Sequence, residues 1–293
     1  MRSFLHVSDH CPVPSLHFIL GELTMEARLH RDVFSLFWCV WNNPQTKIHQ
    51  VVRHLLTTSS DNSRTWSIHL RHLARMYGIP DPLALLQEEP WKKETWKDYI
   101  KTKITAFHEK QLRTSAESNS KMAWFNVSVT GLTGRHHPVL NGAVTAHDVK
   151  KLRPMVRMLT GDYYCFAVKS DQSGGGDYCR LCPDRGPDLP RPREDIQHIV
   201  TECEATRDTR ERILINLWSS LEQVIKDPSV MTELCSDKVL LCQFILDCSS
   251  LNLPNHIRMD AGDRRLTEVV KGWRDICYAV HNDRLRKLKL LTC

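Results

Sequence analysis

No stretch of the 293-residue chain approaches twenty consecutive apolar residues, so none is suited to cross a bilayer as a helix. The N-terminus lacks the basic-then-apolar pattern of a secretory leader, no repeat of twenty to fifty residues suggests a solenoid, and there is no His-Glu-x-x-His pair of the kind that builds a zinc hydrolase. Without a secretory route the eleven cysteines do not read as a disulfide framework. The chain is expected to be intracellular, in the cytoplasm, the nucleus or both, and not secreted. No membrane partner is expected.

With 41% apolar and 25% charged residues, the chain can bury a sizeable core divided into two or three subdomains. The formal charge of +6 is unevenly spread, because fourteen Lys and Arg stand against six Asp and Glu between Trp91 and Lys169. Such a surplus is the electrostatic footprint expected for RNA or DNA.

The most specific pattern lies between Cys179 and Cys203. Cys179 and Cys182 form a C-x-x-C, fifteen residues follow, and His198 and Cys203 complete a Cys-Cys-His-Cys set. Thiolates and a neutral imidazole suit Zn²⁺, and four protein ligands leave no open position for a catalytic water, so one structural zinc is expected. Pro183 stops the knuckle from continuing as a helix. From Arg193 onward, Ile196, Ile199 and Val200 at helical spacing, with Glu194 and Asp195 in the first turn, predict a short amphipathic helix. His198 and Cys203 would stand about 140° apart on an ideal helix, so the helix must end or unwind near Thr201, and an end is predicted there. The competing reading makes these cysteines small buried hydrophobes. Cys235, Cys242, Cys248 and His256 match no standard metal module.

Elsewhere the periodicity is that of a mainly α protein, a helical bundle region followed by the zinc module and a C-terminal helical segment. Met1 to Pro14 carries little pattern and reads as a loose segment. Met25, Leu29, Val33, Leu36, Phe37 and Val40 follow one helical stripe, with Phe34, Trp38 and Trp41 widening the apolar face, and Ile48, Val51, Val52, Leu55 and Leu56 follow another. Ser63 is a plausible N-cap for a helix carrying Trp66 to Tyr77, ended by Gly78. In the longest early helix Trp96, Ile100 and Ile104 pack while Lys93, Lys97 and Lys101 recur alongside; a second basic helix carries Lys150, Lys151, Arg153 and Arg157. These seven are the candidate nucleic-acid contacts, against the commoner reading of a solvated helix face. Met122 to Leu140 reads as a strand or extended segment with His136 and His137 in a surface turn. Tyr163, Tyr164 and Phe166 either stack on bases or pack the zinc module.

Leu159-Thr160-Gly161, an aromatic spacer, C-x-x-C, the segment EDIQHIVTEC and an Arg-rich helix with Arg207, Arg210 and Arg212 together resemble the zinc-binding region that follows the reverse transcriptase in LINE-type, non-LTR retrotransposon polyproteins of the jockey group. The resemblance implies zinc on Cys179, Cys182, His198 and Cys203. It also implies a helical thumb- or linker-like region over 1–120, a basic connector with a helix over 121–170, a zinc module over 171–212 and a C-terminal helical region over 213–293. The polymerase of that family needs an Asp-Asp turn for its two Mg²⁺ ions, and this chain has no adjacent aspartates; nor does it carry the endonuclease's acidic and histidine set. The expectation is therefore a non-catalytic, zinc-stabilised nucleic-acid-binding C-terminal remnant, whose further partner would be the polymerase part of the same polyprotein. The alternative is a zinc-stabilised protein-interaction adaptor.

Overall fold

The computed structural model describes residues 1–59, 65–127, 132, 134–143, 145–165, 177–183, 191–225, 228–250 and 264–290. It is an all-α protein; among the described residues the only β contact is one antiparallel bridge between Tyr178 and Arg193. Two compact units divide the chain, one made of Met1–Gly21 with Ser115–Cys293, the other of Glu22–Thr114.

The Glu22–Thr114 unit contains α3 (Met25–Trp41), α4 (Lys47–Thr58), α5 (Trp66–Tyr77), α6 (Pro82–Leu85) and most of α7 (Lys93–Glu117). Its helix ends follow local chemistry. Thr24 and Thr46 accept hydrogen bonds from Ala27 and His49 amides, Asp81 accepts from Leu83 with Pro82 at the first helical position, and Gly78 ends α5 at φ 62°. The core is aromatic. Phe34, Phe37, Trp41 and Trp96 are buried, and the indole N–H groups find carbonyls: Trp96 donates to Phe34 at 3.0 Å, Trp41 to Glu88 at 3.0 Å, and Trp38 to Trp91 at 2.9 Å. The stripe expected to face this core is split. Phe37 and Val40 are inside, but Met25, Leu29 and Leu36 are exposed, as are Ile48 and Val51 on α4, because the true inward face of α3 is set by Phe34, Phe37 and Trp41. Ser63, the expected N-cap of α5, lies outside the described residues; the residue before that helix is Thr65.

The other unit contains α1 (Arg2–Leu5), α2 (Val13–Leu20), α8 (Ala146–Leu159), α9 (Arg207–Val224), α10 (Pro228–Ser236), α11 (Lys238–Leu246) and α12 (Arg264–Leu290). The first residues are not loose: Leu5, Cys11, Leu16, Phe18 and Ile19 are buried. They are fixed by the chain near Arg135, where the Gly134 amide donates to Gly21 and the His137 amide to Ile19. Gly21 sits at φ 64°, and a Cβ there would lie 2.0 Å from the Arg135 carbonyl oxygen, so no other residue fits without moving the backbone. Around α12, the side chains of Trp273, Ile276, Cys277 and Val280 are fully buried, with Trp273 edge-on to Phe244 at 5.3 Å. Gly272 lets α9 approach, since a Cβ at that position would fall 2.3 Å from a Leu217 methyl. Thr145 and Asp148 form a reciprocal capping box that starts α8, and the helix runs through Pro154.

Two local expectations are corrected. No strand forms in the described part of 122–140; Met122 closes a 3₁₀ turn, Phe125 and Val127 are buried, and extended chain without a partner strand has nowhere to place its backbone groups. His137 is also no surface residue. It is buried, its Nδ1 accepts from the Val139 amide at 3.1 Å, and its Nε2 lies 3.1 Å from the fully buried Asp247 carboxylate. Asp247 also accepts from the Asn126 and Ser249 amides; burial opposes its ionisation, but His137 and these donors hold it below the usual carboxylate range. His136 remains outside and contacts Asn141.

Trp96→Ala is expected to cost about 3–5 kcal/mol in a urea titration, while exposed Met25→Ala stays within about 0.5 kcal/mol. A pH effect is expected from His30, whose Nδ1 lies 2.6 Å from the Tyr77 hydroxyl, which in turn lies 2.8 Å from His108 Nε2. Burial holds His30 below its ordinary value of 6.5, so the folded state binds fewer protons than the unfolded one. Stability should be full above about pH 6.5 and fall as the pH drops below it. Amide exchange over residues 22–114 at pH 7.5 and 5.5 checks this, and the change should shrink in His30→Asn.

Candidate metal centre

The knuckle holding Cys179 and Cys182 is closed by main-chain bonds to the segment leading to His198. The Cys179 amide donates to Pro192 at 2.9 Å, and the Glu194 amide to Asp177 at 2.7 Å. Asp195 then caps the next turn, its carboxylate accepting from the His198 amide at 2.8 Å. The amphipathic segment turns helical at Ile196, later than Arg193, and it widens before ending at Glu202 rather than stopping as an α-helix. Residues His198–Glu202 make a single π-turn, closed by the Cys203 amide donating to the His198 carbonyl at 2.6 Å. An i to i+5 ring brings residues five apart onto the same side, so the spacing that an α-helix cannot use becomes the spacing that converges.

The four side chains meet in the interior. Cys203 Sγ lies 3.9 Å from Cys179 Sγ and 3.8 Å from Cys182 Sγ, and Cys182 Sγ lies 3.4 Å from His198 Nε2. All four ligand atoms are within 4.8 Å of one another, and all four residues are buried. Disulfide sulfurs are about 2.05 Å apart, so these cysteines are unbridged. The edge of a tetrahedron around an ion with metal–sulfur bonds of about 2.3 Å is about 3.8 Å. The cluster can therefore hold one metal ion.

Its electrostatics point the same way. A hydrogen bond from the Cys179 thiol, helped by His198, holds Cys203 down to about 3 against the upward push of burial. Cys179 is raised in return, its proton kept in the bond to Cys203, and burial raises Cys182. Ionising all three in this small buried space needs a compensating cation.

Elements distant in sequence fix the cluster. Arg210 on α9 is buried and donates to the Cys203 carbonyl at 3.2 Å. Lys287 on α12 donates to the Ala205 carbonyl, and Asp283 joins Lys287 to Thr209. The Glu194 carboxylate, fully buried, pairs with the buried Arg284 guanidinium at 2.5 Å; burial opposes the charge on Arg284, but Glu194 and Tyr163 raise it above its ordinary value. Sequence reading missed Arg284, Arg210 and the burial of Glu194. Nothing in helical periodicity marks which of many arginines turns inward.

The expected nucleic-acid residues are distributed over both units. Lys93, Lys97 and Lys101 are exposed on α7, with Lys93 Nζ 5.7 Å from the Trp38 ring. On α8, Lys150, Arg153 and Arg157 are exposed, while Lys151 pairs with Asp275 at 2.7 Å and Arg157 Nε lies 3.9 Å from Asp162. Tyr163 is buried, with its hydroxyl 2.9 Å from His281, Tyr164 is exposed, and Phe166 lies outside the described residues. Of the cysteines set aside as a second site, Cys242 and Cys248 are buried and Cys235 is exposed; His256 lies outside the described residues. No helix among the described residues is long and apolar enough to cross a membrane. Comparison with protein-family models, with curated proteins and with solved structures finds no match to this chain.

Removing one member of the Glu194–Arg284 pair is expected to be more damaging than removing both. Arg284→Leu should cost about 3–5 kcal/mol, because it strands a buried carboxylate, and the Glu194→Leu, Arg284→Leu double variant should recover part of that loss in the same denaturation experiment.

Proposed function

We propose that the chain is a non-catalytic nucleic-acid-binding segment built around one structural zinc ion, of the kind that stands beyond the polymerase in non-LTR retrotransposon polyproteins. The observation that carries the reading is the buried Cys179, Cys182, His198, Cys203 set, with sulfur edges of 3.8 and 3.9 Å. Soft thiolates with one imidazole favour zinc over the hard cations, and a shell filled by four protein ligands supplies structure rather than a reactive water. The ion's contribution is to neutralise three thiolates and to hold the knuckle against the π-turn. Affinity for RNA or DNA is assigned to the exposed Lys93, Lys97 and Lys101 and to Lys150, Arg153 and Arg157, with Lys151 weakened in that role by its pairing with Asp275. Phosphate contacts of this sort give binding that falls linearly with salt on logarithmic axes.

A second reading has its own support. Met25, Leu29 and Leu36 on α3, with Ile48 and Val51 on α4, are each more than half exposed, and clustered apolar side chains in water favour a protein partner. The zinc module would then serve an adaptor, or the helices would dock on a polymerase.

Elemental analysis of the full chain is expected to give one zinc per chain, lost in the Cys179→Ser, Cys182→Ser variant together with part of the circular dichroism signal. Binding to single-stranded RNA and duplex DNA, titrated from 50 to 200 mM salt, should weaken steeply. Replacing Lys93, Lys97 and Lys101 by Gln should reduce the slope by up to about 3. A zinc-loaded chain with no salt-dependent binding of either nucleic acid would remove the first reading and leave the adaptor.

A further inference from the structure

A cavity of about 540 Å³ is formed by α1, α8 and α12, and its wall carries Lys150, Arg153 and Arg157 with no carboxylate. The spacing of these three on α8 turns like charges to one side, an arrangement that destabilises a helix unless an anion compensates. Lys151, which pairs with Asp275, is not part of this wall. The two arginines are held in place by His6, whose Nε2 is 2.8 Å from an Arg153 terminal nitrogen and whose carbonyl accepts from Arg157 Nε at 3.1 Å. His6 adopts φ 53°, and it is the one non-glycine with positive φ among the described residues. That left-handed turn is the C-cap of α1, its amide closing onto the Arg2 and Ser3 carbonyls. Asp162 offsets part of the Arg157 charge from outside the cavity wall, 3.9 Å from its Nε, and is itself bound by the Ser8 amide and hydroxyl. Among the described residues neither Arg153 nor Lys150 pairs with a carboxylate; Lys150 lies against the Tyr278 hydroxyl, and Tyr278 and Asn282 complete the polar rim.

We propose that this cavity is a phosphate-monoester site, in which Lys150, Arg153 and the terminal nitrogens of Arg157 receive the dianion and the Tyr278 side of the cavity accommodates the attached nucleoside. Guanidinium forks match phosphate oxygens in paired hydrogen bonds, and the volume falls within the range of small-molecule sites, well above what phosphate alone fills. The shared chemistry has two sources, a free nucleotide or the 5′-phosphate end of a strand. Neither source depends on the zinc reading, and a strand gripped along its backbone by α7 would leave this site untested and intact.

The test uses the full chain and calorimetric titration of AMP, inorganic phosphate and adenosine, with a short single strand carrying either a 5′-phosphate or a 5′-hydroxyl. AMP is expected to bind and inorganic phosphate to displace it, while adenosine does not bind. Arg153→Gln and Lys150→Gln, both at exposed positions, should each weaken AMP at least tenfold, and Lys47→Gln, exposed on α4, should leave it unchanged. A strand preferred at least tenfold for its 5′-phosphate, and bound more tightly than AMP, identifies the strand end; equal affinity for AMP and the phosphorylated strand identifies the nucleotide. Failure of AMP to bind at millimolar concentration overturns the proposal. So does adenosine binding as tightly as AMP, or AMP binding that neither variant weakens.

Discussion

Three sulfur atoms and an imidazole crowded into a buried space set the terms for the larger unit. Three thiolates this close together and buried would repel one another, a cost that a cation among them would offset. Among the described residues, Leu181 and Ala205 are the partly buried apolar side chains packed against the three cysteines. A module of this kind is held by its ligands and by what it is fastened to. Here the fastening is polar. Arg210, Lys287 and the Glu194–Arg284 pair reach in from α9 and α12, so the cysteine–histidine cluster and the long C-terminal helix are parts of one structure.

Much of the fold was legible in the sequence, and the reasons differ by element. α5 and α7 carry apolar residues at helical spacing, α5 with Gly78 as the expected stop, and the structure forms both; α4 forms too, but with Ile48 and Val51 on its outer side. The meeting of the four cysteine and histidine positions was legible because C-x-x-C with a later His and Cys is a spacing that lets four ligands converge on one point. The π-turn was not, although its necessity was: a five-residue ligand spacing on a helix demands a change of pitch, and the sequence does not say whether the chain supplies it by stopping or by widening. The inward face of α3 was misread because large apolar residues occur all round that helix, and periodicity alone gives no way to rank Met25 and Leu29 below Phe34 and Trp41.

Buried polar groups were the least legible. His137 looked like half of a histidine pair in a turn, yet it sits against Asp247, more than a hundred residues later. Glu194 looked like a helix-start acid and is instead the counter-ion of Arg284. Each depends on a partner far away in the chain, and a burial that would be prohibitive alone is made tolerable by that partner. The basic residues show the converse. Seven positions alike in sequence have different fates: Lys151 is neutralised by Asp275, Arg157 is shared with Asp162 and His6, and the α7 lysines remain exposed.

The pairing of residues 1–21 with the chain after 115 makes the Glu22–Thr114 unit an insertion within its host. The order of synthesis then matters. The inserted unit is complete once Thr114 has emerged, with every tryptophan of its core already present. Its host includes buried residues such as Phe18 and Ile19, whose partners at Phe125 and His137 do not yet exist. At ribosomal rates the remaining chain takes on the order of ten seconds or more to appear. During that interval the leading segment is an apolar strand of chain in waiting, and a protector that binds it would act on the yield of folded protein rather than on the stability of the finished one.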